Sequence, residues 1–280
     1  NIRYNQNSLF GICYHPQFKF INGDVRDTDL LSHAVNHADI IIPLAASVGA
    51  PECSADPIYA QQVNVDAMKT LAGLVRDDQK VLYPNTNSGY GTTDKNIECT
   101  ESMELKPISI YGKTKCAVEN ELMQSENVVS FRLATVFGSS FRNRIDLLVN
   151  NFVYNAVQKN KLTLFEPHFR RNYIHVRDIV NTFLFALDNF KKVKNNIFNV
   201  GLSSANLTKI SLCEKIKTHI PTFEFEISEE GTDPDKRDYF VSNKKIESFG
   251  WLPKVSLDDG IKELSQVYKL IEIKDFDKNL

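Results

Sequence analysis

The sequence predicts an α/β protein: a doubly wound parallel sheet with helices on both faces, joined to a smaller C-terminal α/β domain. Three observations predict it. Through residue 138, short and nearly continuous apolar runs alternate with longer stretches of helical spacing. Strands buried on both faces and linked by crossover helices read this way. From about Ser139 the rhythm changes to a mixture of helical patterns and shorter strands. Small or polar residues follow several of the apolar runs directly, at the strand ends where ligands bind in such sheets.

Taken in order, "FKFIN" (18–22) reads as the first clear strand and leads into the helical "DTDLLSHAVNHA". "DIIIPLA" (39–45) is the second strand, followed by a long helix from Pro57 to about Val75. Asp56 suits the N-cap of that helix and Pro57 its first residue. "KVLYPN" (80–85) leads through a loop to the helix "YGKTKCAVENELM", and "NVVSFRLATVFG" (127–138) is the next strand. "RIDLLVNNFVYNAVQKN" reads as a helix, "KLTLFEP" as a short strand, "HVRDIVNTFLFALDNF" as a helix, and "NIFNVG" as one more strand of the main sheet. A helix ("KISLCEKIKTHI"), a short strand ("FEFEI"), a polar loop and an amphipathic helix ("LDDGIKELSQVYKLI") follow. Residues 1–138 and 172–202 are expected to form the sheet domain, and 139–171 with 203–280 the smaller one. The seam between them is the expected cleft.

Composition narrows the function classes. Of 280 residues, 42% are hydrophobic and 24% charged, with a formal net charge of −2. No strong field favours nucleic acid or an anionic membrane. The apolar stretch from Ile40 to Pro51 is too short and broken to span a bilayer. Five cysteines without a CxxC or a zinc pattern fit reduced thiols and a cytoplasmic location. No Asp, Glu, His and Cys cluster has metal spacing. "NIRYNQNSLF" lacks an initiator methionine and precedes the first clear strand, so further residues are expected upstream.

Several residues could carry chemistry, each with a plainer alternative. In "SIYGKTK" (109–115), Tyr111 and Lys115 stand at i and i+4, on one face of a helix. A cation beside a phenol favours the phenolate, and bringing a phenol to about pH 7 takes roughly 4 kcal/mol. The alternative is a helix-start tyrosine with a solvated lysine. Thr86 in "YPNTNSGYG" sits at a strand end, where a hydroxyl can hold a substrate oxygen, or where Thr86, Asn87 and Ser88 simply form a turn. Asp24 can receive an adenine amino group or cap the helix near Thr28. "LAAS" (44–47) allows close approach to a ligand. Arg171 and Arg237 stand beside aromatic residues, and their forks suit a pyrophosphate or the bare surface. Phe165 can stack on a base or fill a core. His175 reads as structural.

The stretches "GDVRD", "IIPLAAS", "VNVDAMKTL", "YPNTNSGYG", "SIYGKTKCAVE", "FRLATVFG", "RRNYIHVRDI" and "GWLPKVSLDDGIKEL" occur in this order. Together they resemble the extended short-chain dehydrogenase/reductase family, the NAD-dependent nucleotide-sugar epimerases and dehydratases, from Asn1 to about Tyr268. The resemblance implies a Rossmann-type sheet, NAD as cofactor with NADP left open, a nucleotide-diphosphate sugar as substrate, and a homodimer. The copies would pair through the helix after Asp56 and the one bearing Tyr111. It implies Tyr111 as acid/base, Lys115 as its tuner and a ligand of the nicotinamide ribose, and Thr86 in the family's Ser/Thr place. It puts Asp24 and Val25 at the adenine, and Leu44, Ala45, Ala46, Asn64 and Ala134 along the cofactor. Asn151, Phe165, Arg171 and Arg237 fall at the pyrophosphate and base of the sugar nucleotide.

Departures from the family pattern sharpen the expected reaction. The glycine-rich strand–turn–helix is absent from this sequence, so the opening βαβ is expected upstream, together with the acidic residue that selects NAD over NADP. Pro43 replaces a frequent histidine, and Thr135 stands where 4-epimerases commonly carry an asparagine, so galactose is not singled out. Family dehydratases carry an Asp-Glu pair after the catalytic threonine, where this chain has Asn87 and Ser88, and no 3,5-epimerase cysteine is in this loop. The resemblance therefore implies a 4-epimerase-like reaction. Tyr111 removes a hydroxyl proton, hydride leaves the same carbon for NAD, and it returns to the other face of the keto-sugar. The runner-up is an NAD(P)H-dependent reductase of a nucleotide-linked keto-sugar, which Arg3 near a 2′-phosphate position favours. A reading of another class is a catalytically silent dinucleotide-binding sensor or scaffold.

Overall fold

The computed structural model describes residues 7–94, 97–228 and 237–270. Two helices, α1 (Asn7–Phe10) and α2 (Thr28–Asn36), precede β1 (Ile40–Ile41). The carboxylate of Asp27 caps α2, accepting the Leu30 N–H at 3.1 Å. Asp24, expected as a possible cap there, instead binds the backbone and guanidinium of Arg26. After α3 (Ala50–Ala55), α4 (Pro57–Gln61) runs through a π-helical turn at Gln62–Asp66 into α5 (Ala67–Leu74). Asp56 caps this run by accepting the Tyr59 N–H at 2.9 Å, and Pro57 takes the first helical position, where its missing N–H costs nothing.

β2 (Lys80–Thr86) ends in a 3₁₀ turn, Asn87–Tyr90, followed by β3 (Glu98–Cys99), α6 (Ile110–Ala117), α7 (Glu119–Leu122), β4 (Val128–Leu133) and β5 (Thr135–Phe137). Then come α8 (Leu148–Gln158), β6 (Lys161–Leu164), β7 (Arg170–His175), α9 (Val176–Asp188), α10 (Phe190–Val193), β8 (Asn196–Val200) and β9 (Asn206–Thr208). The chain continues through α11 (Lys209–His219), β10 (Glu224–Ile227), β11 (Phe240–Val241), α12 (Lys244–Ser248) and α13 (Leu257–Leu270).

The main sheet has the order β1-β2-β4-β8 with every pairing parallel. Side chains alternate between its faces. Val81 and Tyr83 of β2 enter one core with α2, α5 and α7, while Leu82 enters the opposite core with α9, α10 and α12. Both faces are thus buried, which explains the continuous apolar runs. A third core joins α8, α11 and α13, to which β5 and β7 add Phe137 and Tyr173.

Three strand expectations need correction. Residues 18–22 are not a strand: Phe20 and Ile21 are each 52% exposed, and no described strand pairs with them. β1 keeps only two of the seven residues expected at 39–45, because Pro43 has no N–H for a ladder. The stretch 127–138 is two strands, not one. The Ala134 N–H donates to Val200 at 2.8 Å, and the chain then leaves the main sheet to pair Thr135 through Phe137 with β7.

Candidate active site

Thr86 is the last residue of β2 and is almost buried. Its hydroxyl accepts the Ser88 N–H at 3.1 Å and donates to Ser88 Oγ at 2.9 Å. The same Ser88 oxygen accepts a hydrogen bond from the Arg237 guanidinium. Between them Asn87 is 1% exposed, and both ends of its amide are buried without a hydrogen bond from the described residues.

Opposite this turn, α6 starts at Ser109, whose Oγ accepts the Gly112 N–H at 3.1 Å. A Cβ at Gly112 would stand 3.1 Å from the Ser88 carbonyl, so glycine lets the helix start seat closely on the 3₁₀ turn. Tyr111 and Lys115 follow, one helical turn apart. Burial pushes the Tyr111 phenol up to about 12, and Arg237 and then Arg144 pull against it. Those two guanidinium groups are its strongest cationic influences, rather than Lys115. The Lys115 side chain lies with its ammonium 4.5 Å from the centroid of the Tyr83 ring. Burial lowers this ammonium to about 8.

Beneath Thr86 lies a closed polar network. Arg132 and Glu119 form a buried ion pair at 2.6 Å. The Glu119 carboxylate also accepts from Asn85 Nδ2 at 2.8 Å and Ser130 Oγ at 2.7 Å. Asn85 Oδ1 in turn accepts the Thr86 N–H at 2.8 Å. On the other side Arg132 donates to the Tyr90 hydroxyl, which donates to Asn199 at 2.7 Å. The position of Thr86 is therefore fixed from below by a fully satisfied set of charges.

The remaining predicted residues divide by surroundings. Asn64 is buried, with Oδ1 accepting the Ser47 N–H at 2.8 Å and Nδ2 donating to the Ser47 carbonyl and to Thr114 Oγ1. It thereby ties the segment holding Leu44, Ala45 and Ala46 to α6. Leu44 is 70% exposed, Ala45 and Ala46 are half-buried, and Ala134 is buried at the turn between β4 and β5. Asp24 lies at the periphery with Arg26, and Val25 packs on the α2 core. Arg171 is 3% exposed, its guanidinium set over the Tyr239 ring and donating to the carbonyls of Arg170 and Arg237. The structure thus brings Thr86, Tyr111, Arg171 and Arg237 into one linked group. Asn151 and Phe165 make their described bonds elsewhere: Asn151 accepts from Asn155, and the Phe165 carbonyl accepts from Lys209.

Ser88, which the sequence reading takes only as a turn former and as a departure from the dehydratase pair, also belongs here, as do Tyr83, Arg144 and the Arg132–Glu119 pair, which lie beyond that reading. A charged residue inside the apolar run "VVSFRL" was a signal for the last, since a buried charge needs a partner. His175 is buried against Glu263 of α13 at 3.1 Å, and burial lowers its pKa. Gly138, at φ +114°, would put a Cβ 2.4 Å from this ring. Ser139 and Arg177 bind the same carboxylate, so His175 joins α13 to β7. Among the described residues no group of three His, Cys, Asp or Glu could hold a metal, and no helix is long and apolar enough to cross a membrane.

A model of the NAD dependent epimerase/dehydratase family matches residues 3–201. A UDP-glucose 4-epimerase of Lactobacillus helveticus is 27% identical over 274 residues, covering 88% of this chain and 82% of its own. Among solved structures, a dTDP-glucose 4,6-dehydratase of Bacillus anthracis in complex with NAD superposes with a TM-score of 0.80 at 24% identity, covering 96% of this chain and 85% of its own. A UDP-glucuronic acid 4-epimerase of Bacillus cereus, in complex with UDP-glucuronic acid and NAD, gives 0.78 at 23% identity and covers 94% and 85%. These two likenesses establish the Rossmann-type fold.

Proposed function

The chain belongs to the NAD dependent epimerase/dehydratase family, and from that premise we propose that it is a nucleotide-sugar epimerase of the 4-epimerase kind, with Tyr111 as acid/base and NAD as its resident cofactor. Asn87 and Ser88, the two residues after Thr86, carry this choice of reaction. An amide and a hydroxyl cannot take a carbon-bound proton at neutral pH, and elimination of water across C5–C6 needs groups that can. The Ser88 oxygen is moreover committed to Thr86 and Arg237. Besides the hydride acceptor that NAD would supply, a hydroxyl oxidised and then reduced at one carbon needs only the Tyr111 phenol and the Thr86 hydroxyl.

The residues present suit the cofactor. Lys115 keeps a buried ammonium that no carboxylate pairs among the described residues. The tether through Asn64 sets the small, open segment Leu44–Ala46 beside the same helix. In this reading Tyr111 and Lys115 hold the nicotinamide end, Leu44, Ala45, Ala46, Asn64 and Ala134 line the middle, and Asp24 and Val25 meet the adenine. Bound there, NAD supplies a reversible hydride acceptor. Thr86 orients the substrate hydroxyl, and Tyr111 takes its proton and gives it back. Moving the phenol from about 12 to near 7 requires roughly 7 kcal/mol of charge stabilisation. Arg237 and Arg144 already act on the phenol at that value, so in this reading the Lys115 ammonium and the positive charge of bound oxidised NAD supply the rest. Arg171 and Arg237, with Phe165 and Asn151, would take the diphosphate and base. We assign 1–138 and 172–202 to the cofactor and 139–171 and 203–280 to the sugar nucleotide. The same reading has copies pair through α4–α5 and α6, in the cytoplasm. Arg3, which favoured an NADPH-dependent reductase, lies outside the described residues.

The test is to denature the purified protein, identify any released dinucleotide, and then supply UDP- and dTDP-hexoses. Epimerised sugar retaining its own C4 hydrogen, with no net change in NADH and a loss of roughly 10²-fold or more in Tyr111→Phe, is expected. Stoichiometric NAD(P)H consumption would replace this reading with a reductase. A 4-keto-6-deoxy product would replace it with a dehydratase, and absence of dinucleotide binding would leave a silent module.

A further inference from the structure

We propose that Tyr83 is a positioning residue for Lys115: its ring face is the counter-group of the ammonium, and its hydroxyl fixes the backbone of the same lysine. Tyr83 is fully buried in the middle of β2. Its hydroxyl donates to the Lys115 carbonyl at 2.7 Å, and its ring centroid lies 4.5 Å from Lys115 Nζ. One side chain therefore grips the lysine at both ends. The Lys115 carbonyl belongs to the last turn of α6, where carbonyls run out of intrahelical partners. The phenol supplies one.

The ring is a different kind of partner from a carboxylate. An aromatic face stabilises a cation through its quadrupole and leaves the three ammonium donors unspent. A carboxylate would hold those donors and fix the charge in place. The seat thus opposes part of the burial that brings this ammonium to about 8, while leaving it able to turn toward a ligand.

Among the described residues no carboxylate pairs with the Lys115 ammonium. Titratable groups on elements packed against α6 are Glu52 and Cys53 of α3, Tyr59 of α4, Asp66 of the π-helical turn, Lys80 and Tyr83 of β2, Tyr90 of the 3₁₀ turn, and Glu119 and Glu121 of α7. Tyr111, Lys113 and Cys116 share α6 itself. Tyr83 lies against the ammonium, Cys116 acts on its charge, and Glu119 is taken by Arg132. The seat's catalytic value rests on the acid/base reading of Tyr111 and Lys115; its existence does not.

The experiment titrates Lys115 Nζ directly, by NMR of protein labelled with ¹⁵N-lysine, with Lys115→Met to assign the signal. It compares wild type, Tyr83→Phe, Tyr83→Leu, and an isosteric series in which fluorinated phenylalanine replaces Tyr83. Tyr83→Phe should titrate close to wild type, because the ring remains. Tyr83→Leu should titrate about one pH unit lower, and the fluorinated rings should fall between in graded order. The alkaline limb of the kcat profile should move by the same amount, so the loss in Tyr83→Leu deepens about tenfold above that limb and is absent in Tyr83→Phe. A merely loosened core would lower turnover at every pH and leave the limb in place. If Tyr83→Leu does not fold, the fluorinated series decides, since it keeps the shape. One Lys115 titration common to all ring variants would overturn the proposal. A graded titration in a protein that turns over no sugar nucleotide would uphold the seat and sink the epimerase reading.

Discussion

Beneath Thr86 and beside Tyr111, two cations are buried to almost the same depth: Arg132 is 4% exposed and Lys115 5%. Their surroundings are opposite. Arg132 is forked onto Glu119, bonded to Tyr90 and to the Glu101 carbonyl. Burial works against its charge, but the Glu119 carboxylate more than offsets this and holds the guanidinium above its ordinary range. Among the described residues Lys115 has a ring and no carboxylate as its partner, and burial lowers its ammonium to about 8. A buried charge with its partner is a fixed part of the scaffold. A buried charge without one stores free energy that a ligand, or a change of pH, can release.

The largest expected effect breaks the fixed member. Glu119→Gln strands the Arg132 charge and should cost about 3–5 kcal/mol in urea unfolding. The double variant Glu119→Gln/Arg132→Met should recover most of that loss, because the cost lies in the unpaired guanidinium. Lys115→Met should move stability the other way, by a gain on the order of 2 kcal/mol at pH 7, while turnover collapses.

The sign follows from linkage. The lysine titrates at about 8 in the folded chain and 10.5 as the reference value, so between those limits the unfolded chain binds more protons. Stability of the wild type should therefore rise as pH climbs from about 8 to about 10, and unfolding curves of Lys115→Met should lack that rise. A smaller change tests how firmly the responsive member is carried. Ser109→Ala removes the cap of α6 and should cost about 1 kcal/mol. Ser109→Thr keeps a capping hydroxyl and should retain most of that stability, both read from thermal unfolding. Smallest of all, Ser88→Ala frees the Thr86 hydroxyl from its acceptor and should change stability by less than about 1 kcal/mol. Its effect should appear in KM or kcat instead.

The same contrast explains what could be read in advance. Features made by neighbours in sequence were legible: the Asp56–Pro57 helix start, Thr86 closing an apolar strand, and Tyr111 and Lys115 on one helix face. Each depends on spacing within a few residues. Features made by distant segments were not. Tyr83 sits in an apolar run and reads as core packing, which it also is; only the fold shows a lysine lying on it. Arg237 reaches Ser88 from a distant part of the chain, and the charge of Arg144, in the loop before α8, acts on the Tyr111 phenol. The strand expected at 39–45 shrank because periodicity and apolarity outweighed Pro43 in the reading, whereas the ladder needs the N–H that proline lacks. At 18–22 apolar residues alone were too little, since a strand exists only where another strand pairs with it.

The π-helical turn at Gln62–Asp66 carries a consequence of its own. The Ala67 N–H reaches back to the Gln62 carbonyl, five residues away, so the helix accommodates one residue more than a regular spiral would. Downstream positions are rotated by about 100° relative to an unbroken α-helix. With that offset, Asn64 points to Ser47 and Thr114 while Met68 and Leu71 still face the sheet. The turn acts as a phase shifter. Deleting a single residue here would leave composition and apolarity almost untouched, yet it would bring either the tether or the core face out of alignment. Over this stretch, the joint placement of the Asn64 tether and the core face depends on a residue count as much as on residue chemistry.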